Sequence, residues 1–236
     1  MKTISELLTG NAYPGRGILV GTSADGKRAV FAYFIMGRSE NSRNRIFKRD
    51  GDSLFTRPFD ESKVKDPALI IYRAARFISG GVIVTNGDQT DTIYEALSRG
   101  DSFESALLTR TYEPDAPNYT PRISAILHTN GGYRYTMSIL RRDEATGDCE
   151  RAFWEYPSEA GVGRLIHTYV TDGDPLPSFR GEPKAVSLPN DPRTLAVELW
   201  RALDEKNKIS LYVSFVDIAS GETDDVLINK NQPSER

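Results

Sequence analysis

The chain has 236 residues, enough for one large domain or two small ones and for a sizeable core. Its formal net charge of −3 and isoelectric point near 5.6 leave no basic excess, which argues against a nucleic-acid binder working through phosphate electrostatics. No apolar run approaches the ~20 residues of a membrane span, residues 1–10 hold no apolar signal core, and the single cysteine, Cys149, has no internal partner, so a reducing, cytoplasmic setting is expected.

In chain order, residues 5–8 suggest one helical turn, and Asn11-Ala12-Tyr13-Pro14-Gly15 is a turn cluster. Residues 16–22 read as a strand. Asp25-Gly26 supplies a hairpin turn, because glycine takes the positive φ such turns need, and 28–36 returns as a buried apolar strand. That strand stops at Gly37. Of the next eight residues, seven are polar donors: Arg38, Ser39, Asn41, Ser42, Arg43, Asn44 and Arg45. Guanidinium forks match phosphate or carboxylate oxygens, so the loop is a candidate anion site; a plain solvated loop is the competing reading. If 43–45 is extended, Arg43 and Arg45 point to the same side.

Residues 48–65 look charged and irregular, with an edge strand near 53–56. Asp66 at an N-cap and Pro67 at the first helical position suggest a helix. The runs 69–72, 76–78 and 82–85 around Ser79-Gly80-Gly81 suggest a hairpin instead, and the hairpin is preferred. Helices are predicted over 90–99 and 102–111, then strands over 123–128, 133–141, 149–156 and 163–170. Residues 172–191 form a Pro-, Gly- and Asp-rich loop long enough to serve as a lid. A helix over 192–205, strands over 209–218 and 226–229, and a frayed tail from Lys230 complete the chain. About ten antiparallel strands with helices grouped in two places imply an α+β single domain, two stacked sheets with helices outside.

Three polar segments stand at strand ends: 37–45, 86–91 and 112–122. Arg38, Arg43 and Arg45 suit phosphate. Asn86, Asp88 and Thr90 can bond hydroxyls or amides, while helix capping is the competing reading of Asp88, Thr90 and Asp91. Tyr72 and Glu113 are candidate proton-transfer groups, though Tyr72 also fits a packed strand tyrosine. With two histidines and neither an HExxH nor a CxxC motif, a zinc site is not expected.

The segments Tyr13-Pro-Gly-Arg-Gly, Gly37-Arg-Ser-Glu-Asn-Ser-Arg-Asn-Arg45, Thr85-Asn-Gly-Asp-Gln-Thr-Asp91, Asn118-Tyr-Thr-Pro-Arg122 and His167-Thr-Tyr-Val-Thr-Asp-Gly-Asp-Pro-Leu-Pro-Ser178 resemble, in order and nearly end to end, the archaeal-type IMP cyclohydrolase family in its longer bacterial branch. The resemblance implies closure of 5-formamidoimidazole-4-carboxamide ribonucleotide to IMP with loss of water, the last step of purine biosynthesis. It implies a four-layer αββα sandwich of two mostly antiparallel sheets, like that of N-terminal nucleophile hydrolases. Here Met1-Lys2 offers no nucleophilic N-terminus, which disfavours an amide hydrolase on this fold. Carried over by motif, Arg45, Tyr72 and Glu113 are the catalytic candidates. Arg38, Ser39, Asn44, Asn86, Asp88 and Arg122 are the substrate-binding ones. Neither a metal nor a redox cofactor is required. The partner implied is a small purine ribonucleotide, with no nucleic acid and no membrane, and assembly into a homo-oligomer is left open. The alternative is a purine-nucleotide binding module that has lost the chemistry.

Overall fold

The computed structural model describes residues 1–64 and 67–231. The expected cap Asp66 and most of the expected frayed tail, 232–236, lie outside the described residues. The elements are α1 Ile4–Leu8, β1 Gly17–Thr22, β2 Arg28–Met36, α2 Glu40–Arg43, β3 Arg45–Asp50, β4 Ser53–Pro58, α3 Pro67–Ile70, β5 Tyr72–Ile78, β6 Gly81–Thr85, α4 Gln89–Ser98 and α5 Phe103–Leu108. They continue with β7 Arg122–His128, β8 Arg134–Arg142, β9 Cys149–Pro157, β10 Val162–His167, β11 Lys184–Ser187, α6 Pro192–Ala202, β12 Lys208–Asp217 and β13 Thr223–Asn229.

The strands form two antiparallel sheets, ordered β11-β10-β1-β2-β12-β13 and β3-β4-β5-β6-β7-β8-β9. Strand β2 shows why they stack. Its side chains alternate between two apolar surroundings, as period-two geometry requires. Phe31, Tyr33 and Ile35 face the core shared with Val84, Ala125 and Met137 of the other sheet. Val30, Ala32, Phe34 and Met36 face the layer holding Ile4 and Leu8 of α1 and Leu195 and Leu199 of α6. The seven-stranded sheet is covered outside by α4 and α5, through Ile93, Ala96, Phe103 and Leu107 against Ile83 and Ile126. A fully buried side chain such as Phe31 contributes roughly 1.5–3 kcal/mol of transfer free energy, so both faces of β2 hold layers together.

The structure corrects several expectations. The strand expected near 53–56 forms as β4, but it is not an edge: β3, over residues read as irregular from 48 on, pairs with it in a regular hairpin and takes the edge, and thirteen strands form among the described residues instead of about ten. The alternation was masked because β3 is an edge strand: Phe47 points into the core while Lys48 and Asp50 are exposed. The two readings of 66–85 are both partly realised, as the short α3 leads straight into the β5–β6 hairpin. The 172–191 segment contains β11, which pairs with β10. Arg43 and Arg45 do not share a side: Arg43 closes α2 and reaches the Gly37 carbonyl and Asn207, whereas Arg45 opens β3 and turns to Ser42 and Met36. Among the described residues no helix is long and apolar enough to cross a membrane.

Candidate functional site

A cleft of about 280 Å³ opens where the chain leaves β2 and enters β1. Its walls come from the turn before β1, the arginine loop after β2, the segment after α5 and the segment after β10. The turn before β1 holds Arg16. Gly15 has φ +79°, and a Cβ there would overlap the Thr168 hydroxyl and the Tyr169 ring, so only glycine lets the turn lie against that segment. Backbone bonds from Tyr169 N to the Pro14 carbonyl (3.1 Å) and from Thr168 N to the Arg16 carbonyl (2.9 Å) fix it.

Arg16 is buried, and its fork is committed on two sides. Nη2 donates to Glu113 Oε2 at 2.9 Å and Nη1 donates to the Asn86 carbonyl at 2.8 Å. Burial works against the guanidinium charge, but Glu113, and then the Tyr72 and Tyr33 phenols, hold it protonated well above the ordinary arginine value. Glu113 is itself 5% exposed. Its segment is folded back on itself: Glu113 N donates to the Thr120 carbonyl (2.9 Å), and Asp115 accepts from the Thr120 amide (2.7 Å). A 2.5 Å bond joins the Thr120 and Tyr169 hydroxyls, docking this segment on the one after β10.

The arginine loop supplies the opposite wall. Ser39 caps α2 by accepting from Ser42 N at 3.1 Å and lines the cleft with Asn41 and Ser42. Arg45 is buried; Nε donates to the Ser42 carbonyl (2.7 Å) and Nη2 to the Met36 carbonyl (2.9 Å), which closes the loop and points the guanidinium into the cleft. Arg38 lies over the Tyr13 ring, 5.2 Å from its centroid, and crosses the mouth to Asp172 (2.6 Å) and the Gly173 carbonyl (2.8 Å). Tyr13 in turn stacks on Tyr169. The charged lining is thus Arg16, Arg38 and Arg45 against Glu113 and Asp115.

Of the residues singled out in the sequence, Arg38, Ser39, Arg45 and Glu113 meet in this cleft. Tyr72 stands behind the lining on β5. It is 5% exposed, beside Arg16, and its hydroxyl is 2.8 Å from that of Tyr33. The other four substrate-binding candidates lie outside the lining, as do Arg43 and Thr90. Asn44 exchanges two hydrogen bonds with the Asp60 backbone, both 2.7 Å. Asn86 bonds the Pro121 carbonyl and the Ile123 amide, pinning the turn after β6 to β7. Asp88 sits on the surface between Arg110 and Arg122; partial burial opposes its charge, but the two arginines pull its carboxyl below the usual range. Arg122 holds Asp88, Gln89 and the Thr111 carbonyl.

Arg16, Tyr13 and Tyr33 carry much of the site and were not among the candidates. Arg16 did leave a signal, the Tyr-Pro-Gly-Arg-Gly turn, since a positive-φ glycine beside an arginine marks a close approach. Tyr33 left none, because it sits inside an unbroken apolar strand. No group of three or more His, Cys, Asp or Glu among the described residues could hold a metal ion. The cleft offers guanidinium groups and hydroxyls suited to an anion, with the Glu113 carboxylate in its lining and the Tyr72 phenol behind it.

Residues 13–222 match the family described as IMP cyclohydrolase-like protein. The IMP cyclohydrolase of Methanopyrus kandleri is 37% identical over 183 residues, covering 71% of this chain and 89% of the relative. That of Methanococcus aeolicus is 30% identical over 161 residues, covering 66% and 74%. That of Methanocaldococcus jannaschii is 34% identical over 134 residues, covering 56% and 63%.

Proposed function

The chain belongs to the IMP cyclohydrolase family and converts 5-formamidoimidazole-4-carboxamide ribonucleotide to IMP in purine biosynthesis, and we propose that this ring closure takes place in the cleft bounded by Arg45 and Glu113. The observation that carries the assignment is the meeting of three arginines and a buried carboxylate in one small-ligand-sized space.

The substrate is a monophosphate, and Arg45 is the anchor for it. Two of its nitrogens donate to loop carbonyls, while Nη1 donates to none of the described residues and is free for a phosphate or carbonyl oxygen. Arg38 and Ser39 complete that end. The carboxamide nitrogen of the substrate adds to its own formyl carbon, forming a C–N bond. Holding both groups in contact on one molecule supplies much of the rate. Glu113 takes one of the two carboxamide protons as the nitrogen adds. Tyr72 donates to the formyl oxygen, which gains charge and becomes a hydroxyl. The hydroxyl then leaves with the formamido N–H proton as water, the proton taken by Glu113 passes back to Tyr72, and the second ring is complete. Asn44, Asn86, Asp88 and Arg122 support the walls from behind in this reading.

The family resemblance also supports a single domain over 1–236 with the layering of N-terminal nucleophile hydrolases. Membership of the family's longer bacterial branch belongs to the same reading, carried by the motifs over residues 13–178. A cytoplasmic setting is part of the same reading.

The test is turnover followed by the absorbance change of ring closure. Glu113→Gln is expected to lower kcat at least a hundredfold per folded active site, with a lower unfolding midpoint because Arg16 loses its buried partner, and Tyr72→Phe to lower kcat at least tenfold. Wild-type kcat in both variants would remove this mechanism. IMP bound by calorimetry without turnover in the wild-type chain would favour the binding module instead.

A further inference from the structure

We propose that Tyr33 is a positioning residue for the ring closure: its hydroxyl donates to the Tyr72 oxygen and so turns the Tyr72 hydrogen toward the substrate. The inference rests on the Tyr72 role put forward above.

The argument is one of hydrogen-bond satisfaction. Tyr33 on β2 and Tyr72 on β5 come from different sheets, and their hydroxyls meet at 2.8 Å in the core between them. Each hydroxyl has one hydrogen to give, so one of the two must be the donor. Tyr33 is 0% exposed, and Tyr72 is its hydrogen-bond partner among the described residues. Were Tyr72 the donor, the Tyr33 hydrogen would be left unpaired in an apolar core, where nothing replaces the lost water. With Tyr33 donating, its hydrogen is used and that of Tyr72 is released. Tyr72 keeps a small exposed edge and stands beside Arg16, which lines the cleft, so the released hydrogen has a direction in which to be useful.

The surroundings hold this arrangement still. Phe47 packs on the Tyr33 ring at 5.4 Å between centroids. The Thr56 hydroxyl bonds both the amide and the carbonyl of Tyr72, at 3.1 and 3.2 Å, and so fixes its main chain from the neighbouring strand. Burial also pushes the Tyr33 phenol well up, which keeps it a protonated donor across the working pH range. A phenol that already accepts a hydrogen bond donates a stronger one, so Tyr33 prepares Tyr72 for a developing oxyanion without touching substrate.

The experiment measures kcat and KM for Tyr33→Phe, Tyr72→Phe and the double variant. Active sites are counted by calorimetric titration with IMP, so any unfolded fraction drops out. Tyr33→Phe is expected to lower kcat about tenfold with KM within about twofold, and to cause no further loss when added to Tyr72→Phe. Wild-type kcat in Tyr33→Phe beside an impaired Tyr72→Phe overturns this inference alone. An equal loss in both backgrounds also overturns it, since Tyr33 would then act on the structure generally. Wild-type kcat in Tyr72→Phe removes the donor role of Tyr72 and this inference with it.

Discussion

Asn44 and Arg45 are adjacent in the chain, yet their side chains answer to different demands. Asn44 closes a two-way bond with the Asp60 backbone, so Asn44→Ala is expected to cost about 1–3 kcal/mol of stability, read from urea unfolding, with KM unchanged. Arg45→Ala should do the reverse: KM rises tenfold or more and stability falls less, and an unchanged KM would count against a phosphate role. His167 gives a third single-residue test. Its Nδ1–H donates to the Tyr169 carbonyl at 2.7 Å and its ring meets Phe179 edge-on. Burial pushes the ring down to about 4, overcoming the hydrogen bond that favours the charged form. In the unfolded chain the same ring titrates near 6.5. Above that pH both states are neutral and the full stability is present. Between about 6.5 and 4 the unfolded chain takes up a proton that the folded one refuses, so stability falls with pH. The loss attributable to His167 is on the order of 2 kcal/mol between pH 7 and 4.5. His167→Gln should flatten that part of the curve; an identical slope would assign the acid sensitivity elsewhere.

Helix α6 shows how an element can be vital to the fold and silent in the chemistry. Asp191 accepts from Thr194 N at 2.7 Å and Pro192 opens the first turn, so Asp191→Ala should cost about 1 kcal/mol in urea unfolding. The helix covers the outer face of the six-stranded sheet and has no residue in the cleft, so kcat and KM should stay at wild-type values. That cap was readable in the sequence because its signal is local: an acid, a proline, then apolar residues at helical spacing. The β1–β2 hairpin was readable for the same reason. Strands β3 and β11 were not, since one carries charge on its open face and the other lies among prolines and glycines. The site divides along the same line. The arginine loop declares itself by density of donors within nine residues. The Arg16–Glu113 and Tyr33–Tyr72 pairs join residues 97 and 39 positions apart, and no local pattern records a tertiary pairing.

At the scale of the molecule, the two sheets are tied by polar groups at both ends of β1. At one end Arg16 reaches from the six-stranded sheet to the Asn86 carbonyl and Glu113, beside β6 of the other sheet. At the other, the Tyr133 hydroxyl donates to the Gly21 carbonyl at 2.8 Å. The first tie is ionic and shapes the cleft; the second is neutral and remote from it. Removing one partner of a buried ion pair leaves the other charge without solvent or counter-ion. Arg16→Met is therefore expected to cost about 3–5 kcal/mol and to abolish turnover, with Glu113 stranded. Adding Glu113→Gln should recover part of that stability and none of the activity, because the stranded charge is gone but so is the base. Tyr133→Phe should cost about 1 kcal/mol and leave kcat unchanged. Urea midpoints and turnover of these variants decide the matter together. If Arg16→Met were as mild as Tyr133→Phe, the apolar core would be holding the sheets unaided, and the ion pair would serve the chemistry alone.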